Sequence, residues 1–246
     1  MQSSCIALAG LPQAVPLADD SIRIRFLGHA SFLGHASFAL ETPGGMLAVT
    51  DDTGFIGNPA VVPDVVTMNI AHDTHFTDTP DPLIPHVLRG WGRFGFPAVV
   101  DLAVGDLRVR NVTTDLRGPF GEGGRKDGNS IFIFEAAGLC IVHLGHLHQI
   151  PSAAQYAAIG RVDVLMVPVD GGYTMDLDSL AGVVRRLRPR ILLPMHWFDA
   201  AALTRFEVAK AADFQLVAAG GPEVLVGLDR LPVVPQMLVL DAGLIP

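Results

Sequence analysis

Short stretches in which apolar and polar residues alternate dominate the first two thirds of the chain. They occupy residues 22–27, 37–41, 46–50 and 65–68, then 98–104, 107–113, 130–134 and 139–144. Turn formers stand between them, among them Pro43-Gly44-Gly45, Gly105-Asp106 and Ala136-Ala137-Gly138. Period-two runs punctuated by such residues predict strands joined as hairpins. The period then lengthens. Residues 152–159, 178–187 and 200–211 predict helices, interleaved with wholly apolar runs at 162–169 and 191–193 that predict buried strands. Asp178 is the expected N-cap of the second helix, and Pro189 closes it. Strand-rich segments with helices packed outside predict a layered α/β sandwich, read as a single domain over residues 1–246. The glycine-rich, charged stretch 118–128 reads as a mobile loop.

One internal repeat breaks the pattern. Phe26-Leu27-Gly28-His29-Ala30-Ser31 is followed at once by Phe32-Leu33-Gly34-His35-Ala36-Ser37, the same six residues in tandem. Six is even, so a strand containing the insert keeps its two faces in phase. Fully extended, the insert adds about 20 Å, more than most hairpins hold, so one copy is expected to loop or bulge out. Two readings stand: a neutral duplication, or an added loop that reshapes a pocket.

Composition narrows the class. Half of the 246 residues are apolar and 17% are charged, with mean hydropathy +0.40, enough for a buried core. No apolar run reaches the roughly 20 residues that span a bilayer, so no membrane partner is expected. A formal charge of −8 argues against a nucleic-acid surface. The one basic cluster, Arg185, Arg186, Arg188 and Arg190, reads first as a solvated face. The start lacks the pattern of a secretory signal, which favours the cytoplasm. Two cysteines, Cys5 and Cys140, are too few for a disulfide framework and are expected as free thiols.

Placement, more than number, makes the nine histidines informative. His72 and His75 follow the run ending at Met68, His143 and His146 flank the end of the run 139–144, and His196 follows Ile191-Leu192-Leu193-Pro194. Imidazoles projected from several strand ends can converge on one ion while a sheet holds their geometry. Zinc is the default for such a donor set, with manganese or iron as alternatives.

Taken together, Leu27-Gly28-His29-Ala30-Ser31-Phe32, Thr50-Asp51, the 72–75 segment, Ile141-Val142-His143-Leu144-Gly145, Val167-Pro168-Val169, Gly171-Gly172-Tyr173-Thr174-Met175-Asp176 and Pro194-Met195-His196 resemble, in order, the metallo-β-lactamase superfamily. The branch most similar is that of the ascorbate-6-phosphate lactonase and related metal-dependent hydrolases. The resemblance covers roughly residues 22–200. It implies an αββα sandwich of the metallo-β-lactamase type, one or two ions at the sheet edges, and a metal-activated water acting on a small-molecule ester, lactone, amide or phosphodiester.

The ligand pattern departs from the family. Laid on residues 70–75, the H-x-H-x-D-H segment places Ile70 at its first histidine and Thr74 at its aspartate. His72 and His75 remain, as do His143 and His196, and His146 falls where a bridging aspartate is expected. A lost carboxylate bridge favours a single ion or a rearranged pair. Asp73 and Asp170 are candidates for restoring charge or acting as general base, with turn capping as the plain alternative. His146 is a further candidate for proton transfer. His29 or His35 is a candidate donor at the site mouth, and Asp51 a candidate partner behind a ligand histidine. His86 and His148 read as ordinary polar residues. The competing function is a non-catalytic binding module that kept the fold, favoured by Ile70 and Thr74. A possible homo-oligomer is left open.

Overall fold

The computed structural model describes residues 3–6, 20–29, 32–71, 73–118, 124–210 and 212–246. Its elements run β1 (Ser21–His29), β2 (Phe32–Glu41), β3 (Leu47–Val49), β4 (Val65–Met68), β5 (His86–Arg89), β6 (Asp101–Val104), β7 (Leu107–Arg117), β8 (Gly124–Ala136) and β9 (Leu139–His143). There follow α1 (Ala153–Ile159), β10 (Val164–Pro168), α2 (Leu177–Leu187), β11 (Ile191–Met195), α3 (Ala200–Lys210), β12 (Gln215–Ala218), β13 (Glu223–Gly227) and β14 (Gln236–Val239).

The strands form two mixed sheets, ordered β13-β1-β2-β3-β4-β5 and β12-β14-β11-β10-β9-β8-β7-β6. Alternation explains their stacking. Along β1, Ile22, Ile24 and Phe26 are buried while Arg23 is exposed and Arg25 half-buried, so one face meets the other sheet. Those three join Phe38, Phe132, Phe134, Ile141, Met166 and Leu193 in the layer between the sheets. Burying a side chain of this size contributes roughly 1.5–3 kcal/mol. On the far side of the larger sheet, Val142, Leu165 and Leu192 meet Leu180, Val183 and Phe206 of α2 and α3. Strands β9, β10 and β11 are therefore apolar on both faces, as parallel central strands are. The sandwich is the expected one, with a difference: α1, α2 and α3 all pack on the larger sheet, and the outer face of the smaller is covered by residues of loops such as Ile56, Phe76 and Ile84.

Several local expectations are corrected. The N-cap of α2 is Asp176, whose carboxylate accepts from the Ser179 amide, while Asp178 sits inside the first turn. Residues Gly124 to Gly128 are strand rather than loop, paired with the end of β7; residues 119–123 lie outside the described set. Strands β5, β12, β13 and β14 were not read from the pattern. Cys5 and Cys140 are not free thiols but a disulfide. Segment 3–6 lies across the start of β9: the Arg161 amide donates to the Cys5 carbonyl at 2.8 Å, and Ser3 and Ser4 donate to Glu135. That docking leaves the two Cα atoms 5.7 Å apart, within bonding range.

The repeat lies in the β1–β2 hairpin. Phe26 pairs with Phe38 and Gly28 with Ser37, so the base takes Phe26 to Gly28 from the first copy and Ala36-Ser37 from the second. The register shifts between these two pairs and again between Gly28 and His29, so the hairpin takes up the repeat through irregular pairing toward its tip.

Candidate metal centre

β9, β10 and β11 run parallel and bring their C-terminal ends to one edge, and a polar residue that follows β4 of the other sheet meets those after β9 and β11 there. His75, His146 and His196 each offer a nitrogen, all within 4.8 Å of one another, and all three are buried. The ring of His75 lies 5.1 Å from His146 and 5.2 Å from His196, and His146 lies 4.9 Å from His196.

Each ring is held from behind. Asp51 Oδ2 accepts from His75 Nδ1 at 2.6 Å, and its Oδ1 accepts from the Asn69 amide at 3.0 Å. Asp51 has φ 45°, a left-handed conformation fixed in part by Ser37 Oγ, which donates to its carbonyl. Asp170 Oδ2 accepts from His196 Nδ1 at 2.9 Å and from Thr174 Oγ1; its Oδ1 takes the amides of Gly172, Tyr173 and Thr174. Burial pushes the Asp170 carboxyl up, but the His196 and Thr174 bonds outweigh it and hold the group well below the usual carboxylate range. His146 is backed instead by His148, whose Nε2 lies 2.7 Å from its Nδ1. Burial first, and Arg117 second, lower His148 to about 4.

The turn after β9 sets His146. Gly145 has φ 60°, and a Cβ there would sit 2.4 Å from Asn129 Oδ1 and 2.7 Å from Asn69 Nδ2. Glycine alone lets the chain pass between the two asparagines. Asn129 Oδ1 in turn accepts the His146 amide at 2.8 Å.

The other expected residues fall elsewhere. His143 is buried, but its Nε2 meets the Ala36 carbonyl at 2.7 Å and its Nδ1 accepts from the Gly145 amide. With both nitrogens used by the backbone, it is not brought into the cluster. Desolvation lowers its pKa. Asp73 is exposed in a turn. The carboxylate oxygens of Asp170 are committed to His196 and the 172–174 loop, so it anchors rather than abstracts protons. His72 lies outside the described residues, as do the side chains of His29 and His35, whose backbones are the end of β1 and a part of β2. Asn69, Asn129 and His148 were not singled out as site residues. For His148 a signal existed: it stands only two positions after His146 in the same short segment.

The rim is aromatic. Phe198 packs 5.1 Å from His196, and Tyr173, 70% exposed, packs 5.2 Å from Phe198. Trp197 stacks on Phe26 at 5.4 Å, which ties the segment after β11 to the hairpin.

A family model for the β-lactamase superfamily domain matches residues 23–196. The chain belongs to the β-lactamase superfamily. A UPF0173 metal-dependent hydrolase of Symbiobacterium thermophilum is 26% identical over 227 residues, 83% of this chain and 96% of the relative. Among solved structures, a candidate zinc-dependent hydrolase of the metallo-β-lactamase superfamily from Thermotoga maritima matches with TM-score 0.62 and 26% identity, over 89% of this chain and 98% of that one. A metallo-β-lactamase-fold protein of Bacillus subtilis matches with TM-score 0.55 at 11% identity, over 90% and 98%, and speaks for the fold alone. These matches support the superfamily and not the lactonase branch in particular.

The donor set fits a metal. Imidazole nitrogens suit zinc, iron and related ions, and two rings point their Nδ1 atoms at carboxylates, the arrangement that orients ligand histidines and raises their basicity. Asp51 and Asp170 also supply the negative charge that a buried cation requires.

Proposed function

We propose that the chain is a hydrolase that uses one metal ion, held at the centre where His75 and His196 converge beside His146, on a small molecule with an ester, lactone, amide or phosphodiester bond. The observation that carries this reading is the pair of buried, carboxylate-backed imidazoles with a third ring beside them. Relatives named metal-dependent hydrolases support the reaction class. One ion rather than two follows from the residues a second would need: Ile70 and Thr74 offer no imidazole or carboxylate, and His143 is turned to the backbone. When bound, such an ion supplies Lewis-acid activation of water and of the scissile group. The chain supplies the rest. Asp51 and Asp170 fix the rings, and Tyr173 with Phe198 forms an apolar wall that suits a substrate carrying an aliphatic or aromatic group. Zinc is the proposed ion, with manganese or iron as alternatives.

Elemental analysis of protein purified without added metal or chelator tests the reading. About one equivalent per chain, absent from His75→Ala and His196→Ala, supports it and justifies a screen of esters and lactones. A chain that holds no metal and takes none up returns the weight to a binding module, the reading that Ile70 and Thr74 favour. For compartment, the Cys5–Cys140 bond favours oxidising surroundings over the cytoplasm.

A further inference from the structure

Two of the three clustered rings are backed by carboxylates and the third by a neutral ring, and that difference decides which nitrogen carries a proton. A carboxylate only accepts, so His75 and His196 carry their protons on Nδ1 and turn the Nε2 lone pair to the site. His148 is different. Its Nδ1 accepts from the Arg117 backbone amide at 2.7 Å, a bond whose hydrogen has one possible owner. A ring nitrogen that accepts carries no proton, so His148 is neutral and its proton is on Nε2. That Nε2 is 2.7 Å from His146 Nδ1, which must accept. A neutral His146 then carries its own proton on Nε2, facing the cluster.

We infer that His146 is a hydrogen-bond donor into the centre rather than a third ligand, its sense imposed by the chain Arg117 amide to His148 to His146. A cation entering the centre meets two lone pairs, from His75 and His196, and one N–H. That N–H suits an oxygen of the substrate, carbonyl, carboxylate or phosphoryl, and rejects an ammonium or amide N–H placed there. His148 is a positioning residue: it touches no substrate and acts by choosing the tautomer of its neighbour. No proton is gained or lost along this chain; only the direction of the bonds is fixed. The assignment rests on the proposed metal centre for its functional meaning, but the tautomers are properties of the metal-free protein.

The test begins there. Long-range proton–nitrogen correlation spectra of the metal-free, nitrogen-15-labelled chain distinguish the two neutral tautomers of each ring. Protons on Nε2 for His146 and His148, and on Nδ1 for His75 and His196, are expected; a His146 proton on Nδ1 overturns the inference. Zinc titration of folded variants follows. His75→Ala and His196→Ala should weaken binding by 100-fold or more, and His146→Ala by no more than about threefold. In His148→Glu, a carboxylate can accept from both the Arg117 amide and His146 Nδ1, which turns His146 into a ligand and should tighten zinc about tenfold. Equal losses in His75→Ala and His146→Ala, or an unchanged His148→Glu, would defeat it. A wild-type chain that binds no zinc defeats the metal reading instead, while the spectra still answer the tautomer question.

Discussion

Strand β9 is five residues long, and its two ends do different work. At its start, Cys140 is bonded to Cys5 and its amide donates to Asp163 at 2.8 Å. Opposite Cys140, Glu135 accepts from Arg110, Ser3 Oγ and the Ser4 amide, and Arg110 also reaches the Ala158 and Ile159 carbonyls. Every polar group there is committed to another part of the chain. Past the other end, His146 stands among rings whose outer nitrogens are anchored and whose inner edges face one another. The first arrangement lowers the free energy of the fold. The second gathers buried polar groups that only a ligand rewards, which is how functional sites differ from stabilising ones. Changes at one end should therefore register in stability and at the other in metal binding.

The sharpest break of that division is at the cluster. His75→Ala should weaken zinc binding at least about 100-fold, roughly 2.7 kcal/mol, while the melting temperature of the metal-free protein moves little; calorimetry of both properties on one sample checks it. A variant that unfolds would instead make the cluster part of the scaffold. Next comes Cys5→Ser. Loss of a disulfide that closes so long a loop costs about 2–4 kcal/mol, and for a chain of this size each kcal/mol moves the midpoint by roughly 2–4 °C. Thermal unfolding should therefore shift down by roughly 4–16 °C with zinc stoichiometry unchanged, and dithiothreitol should have the same effect on the wild-type chain and none on the variant.

How legible each end was from sequence follows from the range of the forces involved. Period and turn chemistry are local, so β4, β7, β9 and all three helices stand within a few residues of where the alternation puts them. Strands β12, β13 and β14 lack that alternation or are half exposed, and pairing recruits them: β13 to distant β1, β14 to distant β11, and β12 to β14. His75, His146 and His196 were visible as strand-end histidines. Their backing was only partly so: Asp51 and Asp170 could be picked as carboxylates near the right strands, but which nitrogen of which ring each would take depends on turns after β3 and β10. His143 shows the limit. In sequence it is indistinguishable from a ligand, and only the approach of Ala36 from the duplicated hairpin turns its Nε2 to the backbone. The disulfide was missed because 135 residues separate its partners.

Glu135 sharpens the comparison through pH. Burial opposes its charge, but bonds from Arg110, Ser3 and Ser4 hold its carboxyl below the ordinary value of 4.5. A depressed carboxylate contributes stability that is present above the unfolded value and lost as pH falls through the folded one. Glu135→Gln should cost about 1–3 kcal/mol at pH 7, since charged hydrogen bonds are exchanged for neutral ones. The difference from wild type should shrink as pH drops from about 4.5. Urea titrations at several pH values measure it; a gap that stays constant would show that the bonds to Arg110 do not depend on the charge.

Removing one copy of the hexapeptide should have the smallest effect of all. The hairpin base joins Phe26 with Phe38 and Gly28 with Ser37, and excision of residues 30–35 leaves an identical sequence to reform those pairs. Six is even, so the inward face is preserved, and shortening the segment between Gly28 and Ser37 to His29 and Ala36 gains only about 1 kcal/mol in closure entropy. The Ala36 carbonyl that holds His143 keeps its place. Melting temperature and zinc affinity should both stay close to wild type, which would mark the duplication as neutral for the scaffold and the centre alike. If zinc affinity changes while stability does not, the extra residues act on the metal end of the molecule, and the hairpin belongs with the functional side of the division that β9 draws.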